Sequence, residues 1–134
     1  MARLVSRTVS RNLRKLAEQV PIAAARSLNH EAEETLYDAI NLTPVDTGRL
    51  YRSAKVSKYA SARVGHDVDL AAILTYGTKY AIYVHEIPPP PKKSPDGRSA
   101  EHPRGQWKFL ETAVNRRARK FSANIAADIK KQLR

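Results

Sequence analysis

The sequence predicts an α+β fold in which N-terminal helices and a long C-terminal helix pack on a small antiparallel β-sheet. Apolar residues recur at helical spacing near both ends of the chain, and residues between them alternate with a period of two. The chain has 134 residues, which suits a single domain over 1–134 with a buried core. The predicted parts are a helical region at 9–42, a β-sheet at 51–86, an extended loop at 87–105 and a helix at 106–133.

Two helices are predicted in the first third of the chain. The first runs from about Val9 to Gln19, and its apolar stripe contains Val9, Leu13, Leu16 and Val20. Pro21 is compatible with the first turn of a second helix. The apolar positions of that helix are Leu28, Ala32, Leu36, Ala39 and Ile40. Another of its faces carries three carboxylates, which we expect to face solvent or to contact basic residues of a neighbouring copy: Glu31, Glu34 and Asp38.

Residues 43–50 are predicted to end the second helix and to lead into the sheet. Pro44 disfavours the helical conformation for the residue before it, so the helix should end there. Asp46 and Thr47 can hydrogen-bond to local backbone amides. Gly48 can adopt a positive φ without steric cost.

A segment of strand-like composition begins at Leu50. Residues 54–64 alternate with period two, and Gly65 with the acidic residues after it predicts a turn. The apolar run at 70–74 fits either a strand or a helical turn. The alternation over 80–85 predicts the best-defined strand of the sheet.

The segment 87–105 has the composition of a loop. It contains four consecutive prolines, Pro88, Pro89, Pro90 and Pro91, followed by polar residues that favour turns. A loop of this length is either a surface excursion or an arm that reaches an adjacent subunit. Consecutive prolines favour an arm, because they lower the entropy cost of holding an extended form.

The last helix is predicted from about Gln106 to Gln132, with one apolar and one basic face. The apolar stripe contains Leu110, Val114, Phe121, Ile125, Ile129 and Leu133. The basic side contains Arg116, Arg119, Lys120, Lys130 and Lys131. Such a face either meets water, lies on a membrane surface or meets phosphate groups; a membrane role is disfavoured because the core needs the apolar face.

Charge is unevenly distributed along the chain. The net charge is +11, and both ends are basic while the second helix is acidic. The N-terminal basic residues include Arg7, Arg11 and Arg14. This asymmetry suggests a polyanionic partner, complementary contacts between subunits, or both. The basic residues of both ends are therefore candidates to face a polyanion such as DNA without sequence specificity, and contacts between subunits stay an open alternative.

Little in the sequence indicates catalysis. There are no cysteines, which excludes disulfides and thiolate metal sites. Histidines neighbour carboxylates at 66–67, 85–86 and 101–102, but adjacent residues of a strand point to opposite faces. A metal-nuclease site built from Asp67, Asp69 and Glu86 is conceivable and is the weakest alternative. We expect no enzymatic activity and no cofactor.

Three short motifs together resemble small neck and tail-completion proteins of long-tailed bacteriophages. The first is the junction of Pro44, Asp46, Thr47 and Gly48. The second is the segment 80–86, which is similar to the family's central strand. The third is 102–111, which resembles the family's entry into its C-terminal helix. The chain departs from the family pattern because Gly77 and Thr78 precede the second motif instead of following it.

The resemblance implies a structural virion protein that forms an oligomeric ring around the DNA path. Its partners would be other copies of the chain, other neck or tail proteins, and genomic DNA in the channel. The acidic second helix and the prolines would then serve subunit contacts. The chain has no signal-peptide-like or membrane-spanning run, so we expect synthesis in the host cytoplasm and incorporation into the virion. The alternative is a free basic nucleic-acid-binding protein.

Overall fold

The computed structural model describes residues 2–45, 48–87 and 106–133, with side chains from Ser6 onward. The elements in order are α1 (Ala2–Leu42), α2 (Arg49–Arg52), β1 (Ala54–Lys58), β2 (Ile73–Tyr76), α3 (Ala81–Glu86) and α4 (Phe109–Gln132). The predicted α+β class is confirmed. The long helix α4 packs mainly along α1, and the strands also contact α1. None of the described helices combines the length and apolar character needed to cross a membrane.

The helix α1 is continuous, so the predicted break before Pro21 is wrong. A proline inside a helix removes one hydrogen bond and crowds the preceding turn. However, the residues around it, from Leu16 to Arg26, include no glycine and no Ser, Thr, Asn or Asp that would cap a helix end. Alanines at 23–25 follow Pro21 closely, and alanine has the highest helix propensity. The helix therefore continues through the proline.

The junction after α1 follows the prediction at its described residues. The helix ends at Leu42, two residues before Pro44. Gly48 has a left-handed φ of 80° and precedes α2. Asp46 and Thr47 lie outside the described residues. Leu50 is a buried residue of α2 and does not begin a strand, because this turn of helix turns the chain before Ala54 starts β1.

The sheet is smaller than predicted. It has two antiparallel strands, in which Ala54 pairs with Tyr76 and Val56 with Leu74. A β-bulge after Val56 shifts the register, and regular pairing ends at Lys58. One further bridge joins Ser61 to Asp69. The predicted turn contains Gly65, whose φ is 77°. The apolar run at 70–74, which fitted either a strand or a helical turn, becomes a strand only from Ile73 onward.

The predicted strand over 80–85 is wrong, because residues 81–86 form the helix α3. The backbone amide of Val84 donates to the carbonyl of Tyr80 across 3.2 Å, which is a helical contact. Ala81, Val84 and His85 are partly buried, at helical spacing, whereas Ile82 is 65% exposed. A short apolar run of this length is compatible with either a helix or a strand. Here the run has no neighbouring strand with which to pair among the described residues.

Small side chains allow α1 and α4 to approach closely. The buried residues of this interface and its surroundings are mostly alanines and hydroxyl residues: Ala23, Ala25, Ala32, Ala39, Ala113, Ser27, Thr35 and Thr43. Phe109 is the largest fully buried side chain among the described residues. Its ring packs edge-on against Tyr76 and His85, with centroid distances of 5.0 and 4.9 Å. The first turn of α4 thereby joins the sheet and α3.

The helix α4 starts three residues later than predicted, at Phe109, because Lys108 adopts a left-handed φ of 56°. Most of its predicted apolar stripe is partly buried, but Val114 is 44% and Phe121 37% exposed. The predicted loop at 87–105, with Pro88 to Pro91, lies outside the described residues except for Ile87.

Candidate nucleic-acid interface

The two long helices run antiparallel, and their polar contacts define how far α4 extends along α1. Ser27 donates to the Oδ2 atom of Asp128 across 3.1 Å. The side-chain amide of Gln132 reaches the carbonyl of Ala23 at 3.5 Å. Because α4 ends at Gln132, it covers α1 only from about Ala23 onward. Every described side chain from Ser6 to Val20 is exposed.

Arg117 of α4 binds three carboxylates of α1, and we call these four residues the arginine cluster. Its Nε donates to Asp38 Oδ2 across 2.8 Å. One terminal nitrogen donates to Glu34 Oε2 across 3.2 Å, and the other lies 3.6 Å from Glu31 Oε2. The hydrogen bond to Asp38 raises the pKa of Arg117 above its ordinary value. The guanidinium is therefore charged at neutral pH.

The arginine cluster changes the interpretation of the acidic face of α1. Glu31 is only 4% exposed, so it does not belong to a solvated face. Glu34 and Asp38 are partly exposed, and both are already hydrogen-bonded to Arg117 of the same chain. These carboxylates fix the position of α4 on α1, and a contact with a neighbouring copy would have to compete with Arg117. The role of Arg117 was not predicted. Arg117 stands among other basic residues, and the only signal in the sequence is that it follows Ala113, which is buried, by about one helical turn.

The eight basic residues assigned to DNA are all exposed. They are Arg7, Arg11 and Arg14 on α1, and Arg116, Arg119, Lys120, Lys130 and Lys131 on α4. Within the described residues none of the eight forms an ion pair. By contrast, Arg117, Lys58 and Lys108 are all paired with carboxylates. The structure thus separates cations that hold the fold together from cations that face solvent.

The unpaired cations lie on two helical surfaces and do not form one compact cluster. Those of α1 belong to the part of the helix that projects beyond α4, whereas those of α4 follow its length. An extended arrangement of this kind suits a long polyanion, since each cation contributes separately through counterion release.

A second polar cluster joins α3 to the start of α4. Because residues 81–86 are helical, His85 and Glu86 do not point to opposite faces, and their Nδ1 and Oε1 atoms are 2.6 Å apart. The Nε2 atom of His85 accepts the backbone N–H of Glu111 at 3.3 Å. Lys108 binds both Glu86 and Glu111. The hydrogen bond to Lys108 lowers the pKa of Glu86, and the two carboxylates raise the pKa of Lys108.

The carboxylates of the nuclease hypothesis are not brought together as a metal site. Asp69 pairs with Lys58, Glu86 with Lys108, and Asp67 is exposed in the turn. Within 2–45, 48–87 and 106–133 no three His, Asp or Glu side chains are grouped in a way that could hold a metal ion.

Comparisons of this chain with protein-family models, with curated proteins and with solved structures give no match.

Proposed function

We propose that the chain is a structural virion protein of a bacteriophage neck or tail, which forms an oligomeric ring around the DNA path. The observation that carries this proposal is the set of eight exposed cations without an ion pair among the described residues. Unpaired cations on a ring that surrounds DNA can neutralise phosphates, because the genome carries one negative charge per phosphate.

The junction between α1 and α2 supports the resemblance to the phage family. Gly48 has the positive φ that this motif requires, and Pro44 follows the end of α1. The segment 80–86 gives no such support, because it is helical where the family is expected to have a strand. The proposal therefore rests on the junction, on the C-terminal helix and on charge.

Electron microscopy of the purified protein, alone and mixed with the products of neighbouring genes, tests the proposal. Closed rings with a central channel, alone or on a partner, are the expected result. Single subunits in every mixture, with salt-sensitive coating of added DNA, would favour a free nucleic-acid-binding protein. That second candidate uses the same cations, so only the assembly state separates the two.

The role of the α4 cations is tested by changing Arg116, Arg119, Lys120, Lys130 and Lys131 to glutamine. For duplex DNA we expect the slope of log affinity against log salt to fall by about 0.9 for each phosphate that is no longer neutralised. The matched control changes the same number of exposed cations elsewhere in the body: Arg49, Arg52, Lys55, Arg63 and Lys79. Both variants have the same net charge, so an equal effect would show that only net charge matters and would remove α4 from the interface.

The loop is tested by deleting residues 88–98, which contain the four prolines. An arm that contacts a neighbouring subunit predicts a folded protein with weakened incorporation into particles. Normal incorporation would exclude the arm.

A further inference from the structure

An apolar stripe on the projecting part of α1 lies uncovered. It consists of Val9, Leu13, Leu16 and Val20, which we call the projecting stripe. Leu13 is 60% exposed, and the other three side chains are between 38% and 50% exposed. The spacing of four, three and four residues places all of them on one face of the helix. Four large apolar side chains in a row on an isolated helix normally face a partner.

The projecting stripe continues a face that is already an interface. With 3.6 residues per turn, this face passes from Val20 to Ala23, Ser27 and Glu31. These are the α1 residues at or near the contacts with α4. The interface between α1 and α4 thus ends where α4 ends. The same face of α1 continues toward the N-terminus as the projecting stripe. At the end of α4 an open groove of about 330 Å³ is lined by Ile22, Ala23, Arg26, Gln132, Leu133 and Gln19.

Charge placement around the projecting stripe favours a second copy of the same stripe as its partner. The positions that flank the stripe on either side are uncharged: Ser10, Asn12, Ala17 and Gln19. The basic residues of this segment, including Arg7, Arg11 and Arg14, lie on the opposite side of the helix. Two such stripes can therefore meet without bringing like charges together. An acidic partner helix or an anionic membrane would be favoured by basic flanks and by aromatic residues, and residues 6–20 have neither.

The described residues that flank the segment 88–105 lie near the carboxyl end of α1, away from the stripe. The C-terminal flank of the segment is fixed beside the carboxyl end of α1, where Gln106 N donates to Leu42 O across 2.8 Å. From Leu42 to Val20 the helix rises by about 33 Å.

We propose that two chains pair through their projecting stripes as an antiparallel helical pair. A parallel partner would continue along the face that α4 occupies from Ala23 onward and would collide with α4. An antiparallel partner extends away from α4, and only its first turn, up to about Ser6, reaches the level of Ala23 beside the groove at Gln132 and Leu133. In this arrangement Leu13 of each chain faces Leu16 of the other.

This pairing does not depend on the proposed function. An isologous pair closes on itself and cannot by itself build a ring of more than two copies. It leaves Arg7, Arg11 and Arg14 on the outer side of the pair. A failure of the pairing would therefore leave the ring proposal intact, and the reverse also holds.

The full chain tests the pairing by sedimentation equilibrium. We expect about twice the mass of the 15.0 kDa chain, and a twofold lower mass for the variant Leu13→Asp/Leu16→Asp. The matched control, Arg11→Glu/Arg14→Glu, places two carboxylates on the opposite side of the helix and should retain the pair. A wild-type chain that stays monomeric at about 100 µM, or an unchanged mass in the leucine variant, would overturn the proposal.

Cross-linking tests the orientation independently of any loss of folding. The chain has no cysteine, so introduced thiols are unique. On mild oxidation a mixture of Leu13→Cys and Leu16→Cys chains should give a mixed disulfide in higher yield than either variant alone. Preferential self-cross-linking of Leu13→Cys would indicate a parallel pair and would overturn the antiparallel arrangement.

Discussion

The hydroxyl of Tyr76 donates a hydrogen bond to the hydroxyl of Thr43, with 2.9 Å between the two oxygens. The direction follows from the second contact of Thr43, whose single proton is donated to the carbonyl of Ala39 across 2.7 Å. Thr43 is 1% exposed, so the pair is shielded from water. Burial raises the pKa of Tyr76. The last turn of α1 is thus joined to β2 by a directed pair of hydrogen bonds.

Replacing Thr43 with valine should destabilise the protein by about 1–3 kcal/mol, because the change leaves the Tyr76 hydroxyl without its acceptor. Urea unfolding measures the difference. Thr75→Val is the matched control, since the Thr75 hydroxyl is buried without a hydrogen-bond partner among the described residues. That control should be neutral or slightly stabilising. Equal losses in both variants would show that the Thr43–Tyr76 bond contributes nothing specific.

Replacing Arg117 with methionine should lower the free energy of unfolding by about 2–3 kcal/mol, because Glu31 would remain buried without its countercharge. Arg117 is itself partly exposed, so we place the loss below that of a fully buried pair. The double variant Arg117→Met/Glu31→Gln should recover part of the loss. The exposed neighbour serves as the control, and Arg116→Met should change stability by less than about 0.5 kcal/mol. No recovery in the double variant would argue against Glu31 as the source of the penalty.

Two glycines with nearly the same φ allow the free-energy cost of backbone strain to be measured apart from the cost of a side-chain contact. Gly48 has φ 80°, and an added Cβ would lie 3.0 Å from the Tyr51 ring. Gly65 has φ 77°, and an added Cβ would meet nothing within 4 Å. Gly65→Ala should cost about 1–2 kcal/mol from the left-handed backbone alone. We expect thermal unfolding of Gly48→Ala to show a larger loss, unless the Tyr51 ring moves aside, in which case the two losses will coincide.

The contact between α3 and α4 should weaken in acid. The pKa of Glu86 is lowered in the folded protein, chiefly by its hydrogen bond to Lys108. Its contribution is therefore present above the ordinary pKa of 4.5 and is lost as pH falls through the folded value. The stability difference between wild type and Glu86→Gln should shrink over this range in urea titrations. Because Glu86 is exposed, salt should reduce the difference. A difference that does not depend on pH would contradict the assignment.

Local chemistry made the junction after α1 predictable. The backbone restrictions imposed by Pro44 and Gly48 act within one or two residues, so they can be read without knowing the fold. The segment 80–85 shows the opposite case. Its six residues of mixed apolar and aromatic character fit the period of a helix or that of a strand. What decides against a strand is that no partner strand lies beside the segment among the described residues, and this depends on tertiary structure.

Only part of the candidate site could be predicted from the sequence. Exposed cations such as Arg119 and Lys130 follow from helical spacing, because they lie away from the apolar stripe. Arg117 belongs to the same basic run, but α4 turns it toward three carboxylates that lie about 80 residues earlier in the chain. The preference of Glu31 for Arg117 over solvent depends on how α1 and α4 are aligned, and no local pattern encodes that alignment.

The hydrogen bonds from Gln106 to Leu42 and from Lys108 to His85 hold the chain together on the C-terminal side of the segment 88–105. Ile87, on the other side, is bonded to Tyr83 of α3. The folded body therefore fixes both points where the segment is attached, and the free energy of loop closure depends on the length between them. Doubling such a length costs only about 0.6 kcal/mol. An affinity tag or fluorescent label inserted between Ile87 and Gln106 would leave the helix pair and the sheet as they are.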